Sequence, residues 1–488
     1  MVLAMPKASA PPSADPTRFG ARHALTLTAL LLAVQLVPIV GLIGGNAQSE
    51  VAIHFHTTKI AWFNLTGALV GTFVMPFAVK AANIYGKKRM MVALTICGLV
   101  GDLIAAVATN YSTLLIGRGV AGLYSPLGPL AYSMARDVFP RKLVGPASGL
   151  LGGGVGLVAL GGPFLSGWLI DSHGFRGALW FMVIATVVVL GLILAFIPES
   201  SVRERESRMD WLGGLLLGGG LTMVVYAIGQ GSEWGWTSTT TLAWAGAGVV
   251  AVVAFGFVEG RVAHPLFPKA LLSRRRVWTV LLATSVAAGA VYAVGTMMQL
   301  LALMPAIPGV SDGLGWSATR NATVTAPMSA LLLVVAVATG ALARRTDTRI
   351  LLAVGGIFTA GGYGLASQLH HSAGDILVVG LIAGVGMGIV VAVVPIMVIQ
   401  SVSSEEQALG NGAQNIAQGV VQVIATQVVF VIMARDGKVM HGTQFYLDSG
   451  FTHGFWLIAA ICAVGVPLAL LIPKIPRSEK VDSAADIG

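Results

Sequence analysis

The sequence predicts an all-α membrane protein with about 14 transmembrane helices, arranged as six, two and six, and with both termini in the cytoplasm. The first observation is a series of apolar runs, each long enough for the roughly 20 helical residues that cross a bilayer. The second is composition: 55% of the residues are hydrophobic, 10% are charged and the mean hydropathy is +0.81. Soluble domains carry about 25% charged residues. The third is the placement of basic residues in alternate loops.

Basic residues mark one side of the predicted membrane domain. With the N-terminus in the cytoplasm, 24 of the 30 Lys and Arg residues fall on the cytoplasmic side, five fall on the opposite side, and Arg118 lies within a span. This asymmetry follows the positive-inside rule. The net charge of +9 is therefore explained by topology and does not indicate nucleic acid binding.

The chain divides into five predicted parts. Residues 1–23 and 475–488 are cytoplasmic tails, the first of them polar, proline-rich and disordered. Residues 24–200 and 277–474 each form a six-helix bundle, and residues 201–276 form a charged linker with two extra transmembrane helices. No A-x-A cleavage site follows the first apolar run, which predicts a retained helix and not a signal peptide. The spans are predicted to start near Leu25, Ile60, Met91, Ser112, Val144, Ala178, Trp211, Thr241, Val277, Ala318, Ile350, Ile376, Gly412 and Phe455.

Several classes of function are disfavoured by the residues present. The two cysteines, Cys97 and Cys462, lie inside apolar runs, so we expect no disulfide framework or metal cluster. No G-x4-G-K-[ST] or hydrolase motif occurs, which predicts a protein that is not an enzyme, needs no cofactor and is not driven directly by ATP. Most histidines, including His370 and His371, fall in predicted outer loops, where we expect solvated side chains. A metal or pH role is the alternative for them.

The fifth predicted span carries a glycine and proline pattern. It resembles the antiporter motif of the major facilitator superfamily, G-x8-G-x3-G-P-x2-G-G. The matching residues are Gly149, Gly162, Pro163 and Gly167, whereas Val158 and Ser166 depart from the motif. Such glycines give a flat face that packs closely on a neighbouring helix. The resemblance implies the major facilitator fold, with the substrate site between two bundles, and it implies export; ordinary helix packing is the alternative.

A cytoplasmic loop after the second predicted span carries a further resemblance to the superfamily. Gly86, Lys87 and Lys88 match the end of its pattern G-x-x-x-D-R-x-G-R-K, and Asn83 replaces the aspartate. The missing carboxylate weakens the charge lock that this loop supplies in the family. In the fourth span, Arg118 and Gly122 resemble the family pattern R-x-x-Q-G, with Ala121 in place of the glutamine.

Two ionisable residues lie inside predicted spans. Asp102 and Arg118 fall at similar depth on adjacent helices, which predicts an ion pair that acts as a proton-coupling gate. A static pair that fixes helix packing is the alternative. Many fourteen-helix drug:proton antiporters, which the chain resembles, carry an aspartate in the first span, but this chain has no carboxylate there before Glu50. Proton coupling would therefore fall to Asp102 or Glu50.

A polar stripe on the penultimate predicted span indicates a cavity-lining face. Its residues follow helical spacing: Asn411, Gln414, Asn415, Gln418 and Gln422. We assign further cavity residues to the first, fourth and ninth spans: Gln35, Asn46, Tyr124, Tyr292 and Gln299. The alternative is interhelical hydrogen bonding, worth about 0.6 kcal/mol per bond.

These observations predict a secondary transporter that exports amphipathic or cationic small molecules by proton antiport and alternating access. We expect a monomer in a bacterial plasma membrane whose partners are the substrate, protons and the lipid bilayer. Two alternatives stay open. One is an exporter of a lipid or endogenous metabolite without the usual proton coupling, and the other is a transport-incompetent membrane sensor or scaffold.

Overall fold

The computed structural model describes residues 21–200, 209–262, 265–266, 269–343, 345–402 and 406–474. The first part contains α1 Ala21–His54, α2 Ala61–Tyr85, α3 Lys87–Ala106, α4 Tyr111–Ala121, a 3-10 turn Gly122–Tyr124, α5 Leu127–Val138 and α6 Arg141–Phe196. The middle part contains α7 Trp211–Gly214, a π-helical turn Leu215–Gly219, α8 Gly220–Trp234, α9 Thr239–Glu259 and α10 Lys269–Leu272. The last part contains α11 Arg275–Leu303, α12 Ala318–Leu342, α13 Thr348–Ala366, α14 Ala373–Ser401, α15 Gln407–Arg435 and α16 Asp448–Leu471.

Two short antiparallel hairpins complete the secondary structure. They are β1 Ala306–Ile307 with β2 Ser311–Asp312, and β3 Lys438–Met440 with β4 Thr443–Phe445. The helices dominate because backbone polar groups inside a bilayer must be satisfied within the segment. The predicted tail residues 1–20 and 475–488, and residues 201–208 of the linker, lie outside the described residues.

Within the described residues, 12 helical segments are long and apolar enough to cross a membrane. The predicted all-helical membrane fold is confirmed. The fourth predicted span occurs as α4, the 3-10 turn and α5, and the fifth and sixth are joined in the 56-residue α6, which a non-helical Gly174 divides. The number of 14 spans and the side of the termini stay predictions.

Side chains fix where several helices begin. Asn110 accepts a hydrogen bond from the Thr113 N–H at the start of α4 (2.8 Å). Ser372 and Asp375 form a reciprocal capping box at the start of α14. Each cap satisfies backbone donors that the first helical turn leaves unpaired. These starts lie in the loops that the sequence predicts.

Within the described residues, the two predicted bundles meet mainly along three helix pairs: α1 with α11, α2 with α15, and α6 with α12. We name the end of the molecule that holds His54 the outer end, and the opposite end, where α1 begins, the inner end. Large apolar side chains on α9 and α12 are exposed, among them Phe257 and Val337, as expected for helices that face lipid. The division into the five predicted parts stays a prediction.

Candidate functional site

Asp102 lies on α3 in the interior of the first six helices, with 1% of its surface exposed. The Thr186 hydroxyl, on α6, donates a hydrogen bond to its Oδ2 (2.7 Å), and the Tyr124 hydroxyl lies 3.4 Å from its Oδ1. The sequence assigns Tyr124 to the substrate cavity. In the structure this side chain is buried against Asp102 and does not face open space. The carboxyl group is therefore held by two neutral hydroxyl groups.

Arg118 lies on α4 among the same helices and is 5% exposed. Its Nε lies 3.4 Å from the Phe63 carbonyl oxygen, and its Nη1 lies 3.4 Å from the Met182 sulfur. The guanidinium carbon also lies 5.0 Å from the centroid of the Phe63 ring, an arrangement typical of a cation–π contact. A guanidinium suits such a site because its charge is delocalised and it is weakly hydrated.

The predicted direct ion pair between Asp102 and Arg118 is wrong for this structure. No salt bridge joins them among the described residues, and Asp102 has none at all there. The physical reason is direction: the carboxylate points to Thr186, whereas the guanidinium points to the backbone of α2. Sequence depth placed the two groups in one bundle and could not give the direction of either side chain.

A chain of amides leads from the neighbourhood of Arg118 to the other bundle. A Cβ built on Gly44 would lie 2.9 Å from Asn64 Oδ1 and 3.1 Å from Arg118 Nη2, so α1 leaves room for both groups. Asn64 Nδ2 donates to Gln48 Oε1 (3.2 Å), and Gln48 Nε2 donates to the Thr296 carbonyl oxygen on α11 (2.6 Å). These contacts link α2, α1 and α11 inside the molecule.

Two amides that the sequence assigns to the cavity instead fasten α1 to α6. Gln35 Nε2 donates to the Leu151 carbonyl oxygen (3.1 Å), and Asn46 Nδ2 donates to the Ser166 hydroxyl (2.8 Å). Both side chains are buried. Their arrangement corresponds to the alternative reading, in which amides join helices.

Glu50, the other predicted coupling residue, accepts a hydrogen bond from the Phe175 backbone N–H (2.7 Å). Phe175 begins the second stretch of α6, directly after Gly174, whose φ of +63° is one that glycine adopts readily. A carboxylate at this position satisfies a free backbone donor and complements the helix dipole. Glu50 therefore has a helix-capping contact at the outer end, and its role in proton coupling stays a prediction.

The predicted amide stripe on α15 divides into two parts. Gln414 is buried, with its side-chain oxygen 2.7 Å from the Thr284 hydroxyl of α11, and exposed Asn415 donates to the Asn411 carbonyl oxygen (2.9 Å). Gln418 and Gln422 are half-buried.

Gln418 and Gln422 face the region where the bundles meet. On α15, Val421 packs on Gly289 of α11, and Gly419 approaches Thr72 of α2. At about 100° per residue, the two glutamines lie between these contacts. Their face of α15 is therefore flanked by one helix from each bundle.

Two further predicted cavity residues lie on α11. Tyr292 is 43% exposed although most of α11 is buried. Gln299 is half-buried and fills the space beside Gly45 of α1, where any Cβ would overlap its carboxamide. Tyr292 thus borders accessible space, whereas Gln299 closes the contact between the bundles.

The glycines of the antiporter-like motif lie along α6. A Cβ on Gly167 would lie 2.9 Å from the Thr319 backbone nitrogen of α12, so this glycine permits a close approach between the bundles. A Cβ on Gly162 would make ordinary contact with Leu42 of α1, and Pro163 is half-buried beside it. Gly149 lies on α6, but its surroundings are outside the described part of the chain.

The cytoplasmic loop motif forms a polar cluster at the inner end. Gly86 has a φ of +112° between α2 and α3, a conformation that favours glycine. Buried Lys87 contacts Asp137 on α5 (2.5 Å), and the Ser200 hydroxyl donates to the same carboxylate. Lys88 Nζ donates to the Leu194 carbonyl oxygen (2.9 Å), and Asn83 precedes the turn on α2. A charge pair therefore exists here despite the missing aspartate.

The sequence model of the Major Facilitator Superfamily matches residues 25–426. The chain belongs to this superfamily. Membership agrees with the multi-pass membrane fold that the sequence predicts.

Three curated relatives of this superfamily member cover much of the chain. An uncharacterised major facilitator transporter of Mycobacterium tuberculosis (strain ATCC 25618 / H37Rv) is 27% identical over 477 residues, covering 88% of this chain and 66% of the relative, so the chain spans just under two thirds of its length. The multidrug transporter protein MdtP of Bacillus subtilis (strain 168) is 23% identical over 442 residues, covering 88% of this chain and 79% of the relative. A uridine/deoxyuridine transporter of Lactococcus lactis subsp. cremoris (strain MG1363) is 30% identical over 358 residues, covering 70% and 72%.

Solved structures agree with a major facilitator fold. The crystal structure of a peptide transporter POT in complex with sulfate matches with a TM-score of 0.65 at 12% identity, covering 97% of both chains. At this identity the likeness shows the fold alone. The names of the curated relatives cover more than one substrate class.

Sequence analysis missed three polar residues of this superfamily member. Asn64 and Thr186 stand in apolar runs, and Asp137 falls in a predicted loop next to other charges. A single polar residue in a membrane helix is the signal that could have marked Asn64. The partners of Thr186 and Asp137 depend on packing between distant helices, which no local pattern encodes.

Proposed function

We propose that this chain is a secondary transporter that exports amphipathic or cationic small molecules in exchange for protons, by alternating access. The observation that carries the proposal is the setting of Asp102, a buried carboxyl group whose hydrogen-bond partners, among the described residues, are the hydroxyls of Thr186 and Tyr124. An intramembrane carboxyl group is costly and is a functional candidate by default.

Hydroxyl partners suit a group that gains and loses a proton. A threonine or tyrosine hydroxyl donates to a carboxylate and accepts from a carboxylic acid, so both protonation states of Asp102 can keep their contacts. A salt bridge to Arg118 would have fixed the charged state. Arg118 instead lies beside the amide chain of Asn64 and Gln48, which reaches Thr296 of the other bundle.

The side chains described next offer contacts that suit an amphipathic substrate. Gln418 and Gln422 offer neutral donors and acceptors from α15. Tyr292, on α11, offers an exposed aromatic ring that can contact a cation. Adaptable hydrogen bonds next to an aromatic face do not demand one substrate shape.

The test is efflux of ethidium, a fluorescent cation, in everted membrane vesicles with and without a protonophore. Asp102→Asn keeps the size of the side chain and cannot exchange a proton. We expect it to bind ethidium with nearly unchanged affinity and to lose the protonophore-sensitive transport. Asp436→Asn, at an exposed carboxylate of the outer end, is the matched control and should transport as wild type. Protonophore-sensitive efflux by Asp102→Asn at the wild-type rate would rule out Asp102 as the coupling group.

A second candidate is a nucleoside or other metabolite carrier that needs no proton gradient. The observation in its favour is the relative named as a uridine/deoxyuridine transporter, together with a first helix that carries Gln35 and Asn46 and no aspartate. Radiolabelled uridine exchange in proteoliposomes, without a pH gradient, distinguishes the two. Rapid exchange of uridine and no transport of ethidium would favour the second candidate.

A further inference from the structure

Two histidines and one carboxylate converge at the outer end of the last six helices, apart from the polar site inside the molecule. His370 and His371 follow α13, and Asp448 is the first residue of α16. The Nε2 atoms of the two imidazoles lie 2.8 and 2.6 Å from Asp448 Oδ1. The two rings stack with centroids 4.3 Å apart, and three possible ligand atoms, one from each residue, lie within 4.8 Å of one another.

His370 corrects the expectation of a solvated loop residue, since only 2% of it is exposed. Its Nδ1 lies 2.7 Å from the Ala366 carbonyl oxygen. Because a carbonyl oxygen only accepts, Nδ1 carries the proton, and the lone pair of a neutral ring is on Nε2. Carbonyl contacts of this kind fix the tautomer of metal-binding histidines.

The Nε2 atom of His370 is buried and has no hydrogen-bond partner within the described part of the chain. It lies 2.8 Å from a carboxylate oxygen, an electron-pair donor like itself, and beside a second imidazole whose Nε2 contacts the same oxygen. Two atoms that face each other with their lone pairs need a cation between them. Either a proton on an imidazole or a metal ion can supply it.

The surroundings hold these ligands in place. Asp375 Oδ2 accepts hydrogen bonds from the backbone N–H groups of His371 and Ser372 (3.3 and 3.0 Å). Asp312 Oδ2 accepts from the Asp448 N–H (2.8 Å), which fixes the start of α16. Both neighbouring carboxylates are therefore engaged with backbone, and Asp448 is the one that faces the imidazoles.

We propose that His370, His371 and Asp448 bind a divalent transition-metal ion of the zinc type. Two imidazoles and a carboxylate suit zinc, cobalt or nickel, whereas magnesium and calcium prefer oxygen ligands. Tetrahedral bonds of about 2.0–2.1 Å place donor atoms roughly 3.3 Å apart. Asp448 must then retreat by about half an ångström, which its position at the solvent-exposed edge permits. Three protein ligands leave a fourth position for water or an external donor.

The test uses the full-length protein in detergent, stripped of metal, titrated with Zn²⁺ against a chromogenic chelator. The His371 side chain is 60% exposed, so His371→Ala should leave the fold intact. We expect it to weaken Zn²⁺ binding by more than about tenfold, because even outer-shell mutations cost roughly 10–100-fold. Asp448→Asn should weaken it similarly. Zn²⁺ should also raise the melting temperature of the wild type, since binding to the native state stabilises it.

His453→Ala is the matched control, because His453 is an exposed histidine of the same end that contacts Asp436 instead (3.0 Å). It should bind Zn²⁺ as the wild type does, and Mg²⁺ should not compete. The proposal is overturned if the wild type binds no stoichiometric Zn²⁺, or if His371→Ala and Asp448→Asn bind it unchanged. The cluster would then be a proton-sharing ion pair. Ethidium efflux is a separate readout, so failure of either proposal leaves the other testable.

Discussion

Lys87 carries a charge in an almost closed position at the inner end. Its side chain is 6% exposed, and that of its partner Asp137 is 8% exposed. Removing one member of a buried pair leaves the other charge without compensation, which costs about 3–5 kcal/mol. We expect Lys87→Met to lower the apparent melting temperature of the purified protein strongly, as measured by intrinsic fluorescence in detergent.

Lys88→Met is the control for this change. Lys88 is the next residue, but its Nζ makes an exposed hydrogen bond to the Leu194 carbonyl oxygen, and exposed interactions contribute little. Combining Lys87→Met with Asp137→Leu should recover part of the loss, because no unpaired charge remains. Equal effects of Lys87→Met and Lys88→Met would show that the buried pair does not stabilise the protein.

At the scale of single residues, the sequence predicts which side chains are buried but not which side chains they contact. Asp102 and Arg118 lie inside apolar runs, which is enough to place them in the membrane interior. Their contacts with Thr186 and Phe63 depend on how helices far apart in the chain pack. His370 shows the same limit, since its burial comes from Phe451 and Phe455, on a helix some 80 residues later.

At the scale of helices, Gly167 permits the close contact of α6 with α12. An added Cβ would lie 2.9 Å from the Thr319 backbone, and backbone atoms cannot give way as a flexible side chain can. We expect Gly167→Val to separate α6 from α12 and to lower transport and thermal stability together. The measurements are vesicle efflux and the apparent melting temperature.

Gly161→Val provides the comparison on the same helix. Gly161 has nothing within 4 Å of a built Cβ, so the added side chain enters open space. Transport and stability should stay near wild type. If the two valine variants behave alike, the effect comes from helix propensity or expression and not from the contact with α12.

Helix positions were the most predictable elements, because a bilayer fixes both the length and the apolarity of a span. The structure begins each corresponding helical stretch within seven residues of its predicted start. The hairpin of β3 and β4 was not predicted, since strands of three residues carry no usable alternation. The kink at Gly174, which divides α6 with almost no loop, also lies below the resolution of hydropathy patterns.

At the scale of the whole molecule, polar contacts between the bundles concentrate at the outer end. Asp171 of α6 accepts hydrogen bonds from the backbone N–H groups of Ala318 and Thr319 (both 2.8 Å), and the Thr443 hydroxyl donates to the Ala52 carbonyl oxygen (3.3 Å). The described inner-end ion pairs do not join the two bundles: they are Lys87–Asp137, Arg89–Glu199, Arg274–Glu406 and Arg349–Asp347. Under the alternating access proposed above, this asymmetry corresponds to a state closed at the outer end.

Alternating access predicts that a permanent link across the closed outer end stops transport. We propose Asp171→Cys with Thr319→Cys, in a background of Cys97→Ala and Cys462→Ala, joined by a short, reducible thiol cross-linker. Ethidium efflux should fall to background when the link forms and return on reduction. The pair Asp436→Cys with His453→Cys is the control, because its residues lie in one bundle and its link should leave efflux intact. Undiminished efflux from fully linked Asp171→Cys/Thr319→Cys protein would mean that the bundles do not separate at this end during transport.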